Sequence, residues 1–155
     1  MTILAKDIMV KNFDKIHVDA SARELIQMII GGKVRKSGHK TVSLMVIDDY
    51  NQLVGIVTMF DILFHFRPDF LNKGIDGETI PWDGTLKHSI DSIAKKKVDQ
   101  IMSRHIMSAK PNDHLMVVLD RMVKNKYRRL PVLERGKPIG IVYISDLFHH
   151  LFENI

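Results

Sequence analysis

The chain has 155 residues, 45% of them apolar and 26% charged, with no cysteine. That length and composition describe a folded domain, or two small ones sharing a core, and the missing cysteine excludes disulfide scaffolds, cysteine nucleophiles and thiolate metal sites. A formal charge of +5, from 23 Lys and Arg interspersed with 18 Asp and Glu, speaks to solubility and weak attraction for anions more than to nucleic-acid binding. No apolar run approaches the roughly 18 residues of a membrane span, and residues 1–7 are too polar for a signal peptide. The expectation is a cytoplasmic protein with no membrane insertion.

In chain order, an extended segment around Ile16-His17-Val18 leads into a helix opened by Ser21-Ala22-Arg23-Glu24. This is a capping-box pattern, in which Ser21 accepts from a backbone N–H and Glu24 reaches back. A basic, glycine-rich insertion follows at 31–41. It is not a phosphate loop, because His39 stands where a lysine must follow glycine and the segment runs from helix to strand. Two β-rich runs, 42–47 and 53–57, flank the polar turn 48–51. A second helix follows Gly55-Ile56-Val57-Thr58-Met59-Phe60-Asp61. From 66 to 97, Pro68, Gly74, Gly77, Pro81 and Gly84 break any long helix, leaving one or two helical turns at 90–94. Trp82 is expected to anchor this connector to the body, and Lys95-Lys96-Lys97 to form a solvated face.

The rest of the chain repeats the beginning. Lys6-Asp7-Ile8-Met9 returns as Asp99-Gln100-Ile101-Met102, and a strand at Met107-Ser108-Ala109 precedes a helix with Asp113 as its expected N-cap. The apolar positions Ala22, Leu25 and Ile29 are matched by Leu115, Val118 and Met122. Leu130-Pro131-Val132-Leu133 and Ile139-Gly140-Ile141-Val142 form the second hairpin around 134–137, and Gly140-Ile141-Val142-Tyr143-Ile144-Ser145-Asp146 echoes the earlier glycine motif. Two copies of a β-α-β-β-α unit explain the order and spacing together. The division is a first repeat over 1–66, a connector over 67–97 and a second repeat over 98–155.

Catalytic signatures are missing: there is no HExxH, GxSxG, GxGxxG or GxxxxGK[ST]. His65 and His150 each follow a repeated Asp by four residues, a spacing that serves a helix surface as readily as a metal, and no metal is expected. Asp61 and Asp146 stand one turn into a helix after a buried strand. There a carboxylate can accept two hydrogen bonds from a vicinal diol such as that of ribose, with Thr58 near a helix start that favours phosphate. It can equally serve its own helix N-terminus. The residues by themselves leave both readings open, and they point away from an enzyme.

The duplicated set in this order resembles a tandem pair of cystathionine-β-synthase (CBS) domains, a Bateman module. It is carried by Asp7-Ile8-Met9, Gln100-Ile101-Met102, Leu130-Pro131-Val132 and both Gly-Ile-Val-x-x-x-Asp segments. The resemblance implies an α+β fold, two β-α-β-β-α repeats packed with pseudo-twofold symmetry, and a homodimer. It also implies no required cofactor, a regulatory adenosyl ligand (AMP, ADP, ATP, S-adenosylmethionine or a dinucleotide) in clefts between the repeats, and an effector protein that reads the bound state. Carried over by position, Thr58 and Asp61 combine with Tyr127, Arg128 and Arg129 in a first site. Asp146 and Tyr143 combine with Val42 and Ser43 in a weaker second one, where Tyr143 replaces the family's Thr or Ser and Val46 stands in place of its proline. The rival expectation is a protein-interaction or nucleic-acid-binding module with empty clefts.

Overall fold

The computed structural model describes residues 2–32, 43–73 and 82–155. The fold is α+β. Its elements are α1 (Ala5–Ile8), β1 (Lys15–His17), α2 (Ala22–Ile30), β2 (Ser43–Ile47), β3 (Leu53–Thr58), α3 (Met59–Phe66), a short 3-10 helix (Asp69–Lys73) and α4 (Trp82–Ala94). They continue with α5 (Val98–Ile101), α6 (Leu115–Asn125), β4 (Arg129–Glu134), β5 (Lys137–Tyr143) and α7 (Ile144–Phe152). No helix among the described residues is long and apolar enough to cross a membrane.

Two compact units form, and they follow packing and not chain order. The α2 unit comprises Asp14–Ile47 and Val54–Arg104; the α6 unit comprises Met1–Phe13, Asp48–Leu53 and His105–Ile155. In the α2 unit, β2 is the middle strand of three, and β1 runs parallel to it with Ile16 opposite Val46. Its core gathers Leu25, Leu44, Val46, Val57, Ile93 and Ile101. In the α6 unit, β4 and β5 form an antiparallel hairpin, and Ala109 bridges Val132 in parallel. Arg135 and Gly136, at φ 53° and 80°, make the tight turn of positive-φ residues that a two-residue hairpin requires. Val118, Met122, Leu130, Val132, Val142 and Leu147 fill this second core.

The repeated opening motif explains why the units cross the chain. Val10 and Ile141 exchange backbone hydrogen bonds in the α6 unit (2.8 and 3.0 Å), and Ser103 and Ile56 do the same in the α2 unit (2.8 and 3.0 Å). Ala5 N donates to Asp113 O (2.8 Å), as Val98 N donates to Ala20 O (2.9 Å). Each motif thus sends its isoleucine, Ile8 or Ile101, into the core of a unit whose sheet comes from the other copy. The methionine explains the repeated glycine. A Cβ at Gly140 would lie within 3.0 Å of Met9 Sδ, and one at Gly55 within 3.0 Å of Met102 Sδ, so any larger residue must push the thioether aside.

Several expectations need correction. The connector carries a continuous 13-residue helix, Trp82–Ala94, which Gly84 does not break. Its buried positions, Ser89 and Ile93, hold it by packing, and one glycine costs a helix only about 1 kcal/mol. Trp82 is 40% exposed and tilts against Phe70 of the connector's own 3-10 helix, at 6.1 Å between ring centroids. The N-cap of α6 is His114, whose Nδ1 accepts from Met116 N at 3.0 Å, and not Asp113. Asp113 is already engaged, accepting from Lys110 N and from Arg121 Nη1, both at 2.8 Å. Ser21 caps α2 by accepting from Glu24 N at 3.1 Å, without a return bond from the Glu24 side chain among the described residues. Met107-Ser108-Ala109 contributes a single bridge in place of a strand. Because Ile16 faces Val46 as Ala109 faces Val132, the counterpart of Pro131 is Met45, not Val46. The first hairpin loop is one residue longer, which displaces a count made from the glycines. Most of the basic insertion, Val42, Gly74, Gly77 and Pro81 lie outside the described residues.

Candidate functional site

In the α2 unit the repeated aspartate sits in a closed ring of hydrogen bonds. Buried Val57 is followed by Thr58, which ends β3 with extended angles (φ −120°, ψ 164°) and serves as the N-cap of α3. Thr58 Oγ1 accepts from Asp61 N at 3.1 Å and donates to Asp61 Oδ2 at 3.0 Å. Thr58 N donates to the same Oδ2 at 2.8 Å. Oδ2 therefore has both lone pairs engaged, while Oδ1 takes no hydrogen bond among the described residues. Of the two readings the sequence left open, helix capping is made by one oxygen, and the other remains an available acceptor. Ser43, half-buried, opens β2 in the same unit.

The α6 unit holds a different set. Lys126, left-handed at φ 58°, ends α6, and Tyr127 N then donates to Met122 O at 2.8 Å, which packs the Tyr127 ring against the core. Arg128 is exposed, and its carbonyl accepts from Ile144 N at 2.9 Å at the start of α7. Arg129 opens β4 directly opposite Tyr143 on β5. Its Nε is buried with no hydrogen-bond partner among the described residues. Burial pulls the guanidinium below its ordinary pKa; Tyr143 opposes the fall and neighbouring Arg128 adds to it. Such a donor lacks an acceptor, and a buried unpaired donor costs about 1–3 kcal/mol. Tyr143 is the N-cap of α7 but makes no side-chain capping bond, and Asp146 lies half-buried in the first turn.

The structure therefore brings Thr58 and Asp61 into direct contact, and places Tyr127, Arg128, Arg129, Tyr143 and Asp146 in the other unit. The orphaned Nε was not legible in the sequence, because it depends on what lies beside β4. Among the described residues no group of three or more His, Asp or Glu gathers as a metal site would require.

Two copies of one α/β unit in an α+β fold, each with Gly-Ile-Val in a strand and an aspartate in the first turn of the helix that follows, define the class. The family model for the CBS domain matches residues 5–67 and 98–153, and the chain belongs to that family. The uncharacterized protein MJ1426 of Methanocaldococcus jannaschii is 30% identical over 161 residues, covering 96% of this chain and 91% of that protein. For two other curated relatives, MJ1225 of the same organism and a 17.7 kDa protein of Acidianus ambivalens, the chain spans 28% and 57% of their lengths at 26% and 29% identity. Among solved structures, CBSX2 in complex with AMP has a TM-score of 0.69 at 23% identity, covering 97% of each chain. The CBS domain pair of MJ0100, in complex with 5′-methylthioadenosine and S-adenosyl-L-methionine, has a TM-score of 0.66 at 20% identity over the whole of both chains. These structural likenesses show the fold.

Proposed function

We propose that this chain is a regulatory module of the cytoplasm that binds an adenosyl ligand and passes the bound state to an effector protein by a shift in conformation. The observation that carries the reading is the buried, unpaired Nε of Arg129 beside Arg128, an arrangement that an anionic phosphate would satisfy. Asp61, with Oδ1 open and Oδ2 fixed by Thr58, suits a ribose hydroxyl, and Tyr127 the base. Asp146, with Tyr143, Val42 and Ser43, is the weaker second set. The AMP and S-adenosylmethionine complexes of fold neighbours support the ligand class.

Thermal unfolding with AMP, ADP, ATP, S-adenosylmethionine and NAD tests it. A ligand at a hundredfold excess over its Kd raises stability by about 2.7 kcal/mol. Asp61→Ala and Arg129→Met should each weaken the same ligand about tenfold or more. No shift with any of them at millimolar concentration sinks the proposal, and steeply salt-dependent binding of nucleic acid would favour the rival module. The exposed apolar side chains Phe60, Leu63 and Phe64 of α3, and Phe148 and Phe152 of α7, support a homodimer, which light scattering of the purified chain checks.

A further inference from the structure

The connector contains a feature that the adenosyl reading does not use. Within the α2 unit, a cavity of about 470 Å³ opens beside α4, on the side toward the end of α3 and the 3-10 helix. From α4 it is lined by His88, Ser89 and Ser92, three and four residues apart on one stripe, and by Lys96 just beyond. His65 and Arg67 face it from the other side. A helix stripe turned toward a neighbouring element is ordinarily apolar. Here Ser89 is buried on that stripe, while His88 and Ser92, with Arg67 opposite, are exposed and form the rim of an open cavity.

Ser89 sharpens the point. It is the buried polar residue of the described chain, 8% exposed, and it lines this cavity. Neither Arg67 nor Lys96 has a carboxylate within ion-pair range among those residues; Asp69 is the one acid on this lining, and Asp83 is the one acid on that of the smaller cavity. A donor-rich wall of this kind calls for a ligand rich in acceptors. The volume, on the order of fifteen water molecules, exceeds what a bare ion fills. A smaller cavity of about 170 Å³ adjoins it, shares Phe66 and Ser89, and is walled by Trp82 and Leu86.

We propose that this pair of cavities is a second ligand site, independent of the adenosyl reading, for a small organic anion: a phosphate or carboxylate head against Arg67, His88 and Lys96, with a planar apolar body against Phe66 and Trp82. Ser89 stands at the junction of the two lobes.

Calorimetric titration of the full chain with phenyl phosphate, benzoate and inorganic phosphate tests it. At least one aromatic anion should bind, and whichever of the two is tighter identifies the head group. Arg67→Met and Lys96→Met should each weaken it about tenfold, the loss of one charge-assisted hydrogen bond. Ser89→Leu should fill the junction and abolish binding, and Ser89→Ala, which spares the fold, should weaken it. Asp61→Ala should leave it unchanged. The proposal is overturned if neither aromatic anion binds at millimolar concentration, if binding survives both charge variants, or if Asp61→Ala removes it. Inorganic phosphate binding as tightly as phenyl phosphate overturns the aromatic lobe.

Discussion

The turn after β3 and the turn after β5 carry the same Gly-Ile-Val-x-x-x-Asp pattern, yet their polar chemistry differs. Thr58 and Asp61 close a three-bond ring, whereas Tyr143 starts α7 with no side-chain cap. At the strand start preceding each turn the asymmetry reverses: the α2 unit has Ser43 and the α6 unit has Arg129 with its unpaired Nε. Duplication kept what packing demands, namely the glycine under a methionine and the buried valine. The half-buried positions Thr58/Tyr143 and Ser43/Arg129 diverged. Each copy thus carries polar groups that the other lacks.

The largest expected effects ask whether the two cores are equally needed. Leu25→Ala in the α2 unit and Met122→Ala in the α6 unit, both fully buried, should each cost about 2–5 kcal/mol in urea unfolding. A loss under about 1 kcal/mol at either would show a core that its unit does not depend on.

Next come the glycines. Gly55→Ala and Gly140→Ala should each cost about 1–3 kcal/mol by forcing Met102 or Met9 aside. Relief on adding Met102→Ala or Met9→Ala, respectively, would confirm the contact, and additive losses would refute it.

Thr58→Val should cost about 1 kcal/mol and speed amide exchange in the first turn of α3. Tyr143→Phe should leave exchange in the first turn of α7 unchanged, since its hydroxyl caps nothing. Equal effects at both would erase the difference between the turns.

The smallest effect depends on pH. Burial pushes Asp113 upward, but the Lys110 N–H and Arg121 outweigh it and hold the carboxyl below its usual value. A depressed pKa stabilises above the unfolded value, near 4, and that contribution is lost as pH falls through the folded one. Asp113→Asn should therefore flatten the acid limb of stability below about pH 4. Its counterpart in the other copy is Ala20, so the α2 unit should show no such limb from this position.

Local signals were legible and distant ones were not. Ser21 as a cap, the β-rich runs of both hairpins and the polar turn at Asp48, whose Oδ1 accepts from Tyr50 N and Gln52 N, follow from neighbouring residues. The α4 helix was hidden by Pro81 just before it and Gly84 within it, although Trp82, Leu86, Ile90 and Ile93 recur at helical spacing. The choice of His114 over Asp113 turned on Arg121, which reaches back to Asp113 from two turns into the same helix. The pairing of Met9 with Gly140 lies nearly the whole chain apart, and no local periodicity reports it. For the candidate site, Thr58 and Asp61 were visible as a spaced pair, while the buried Nε of Arg129 emerged only from packing.

The exchanged opening motifs also order events during synthesis. Every residue of the α2 unit has been made once Arg104 leaves the ribosome, so that unit can close while the chain still grows. Residues 1–13 are made earlier but belong with strands that arrive last. Until β5 exists, Ile8 and Met9 have no core to join, and their long wait makes the α6 unit the slower of the two to form.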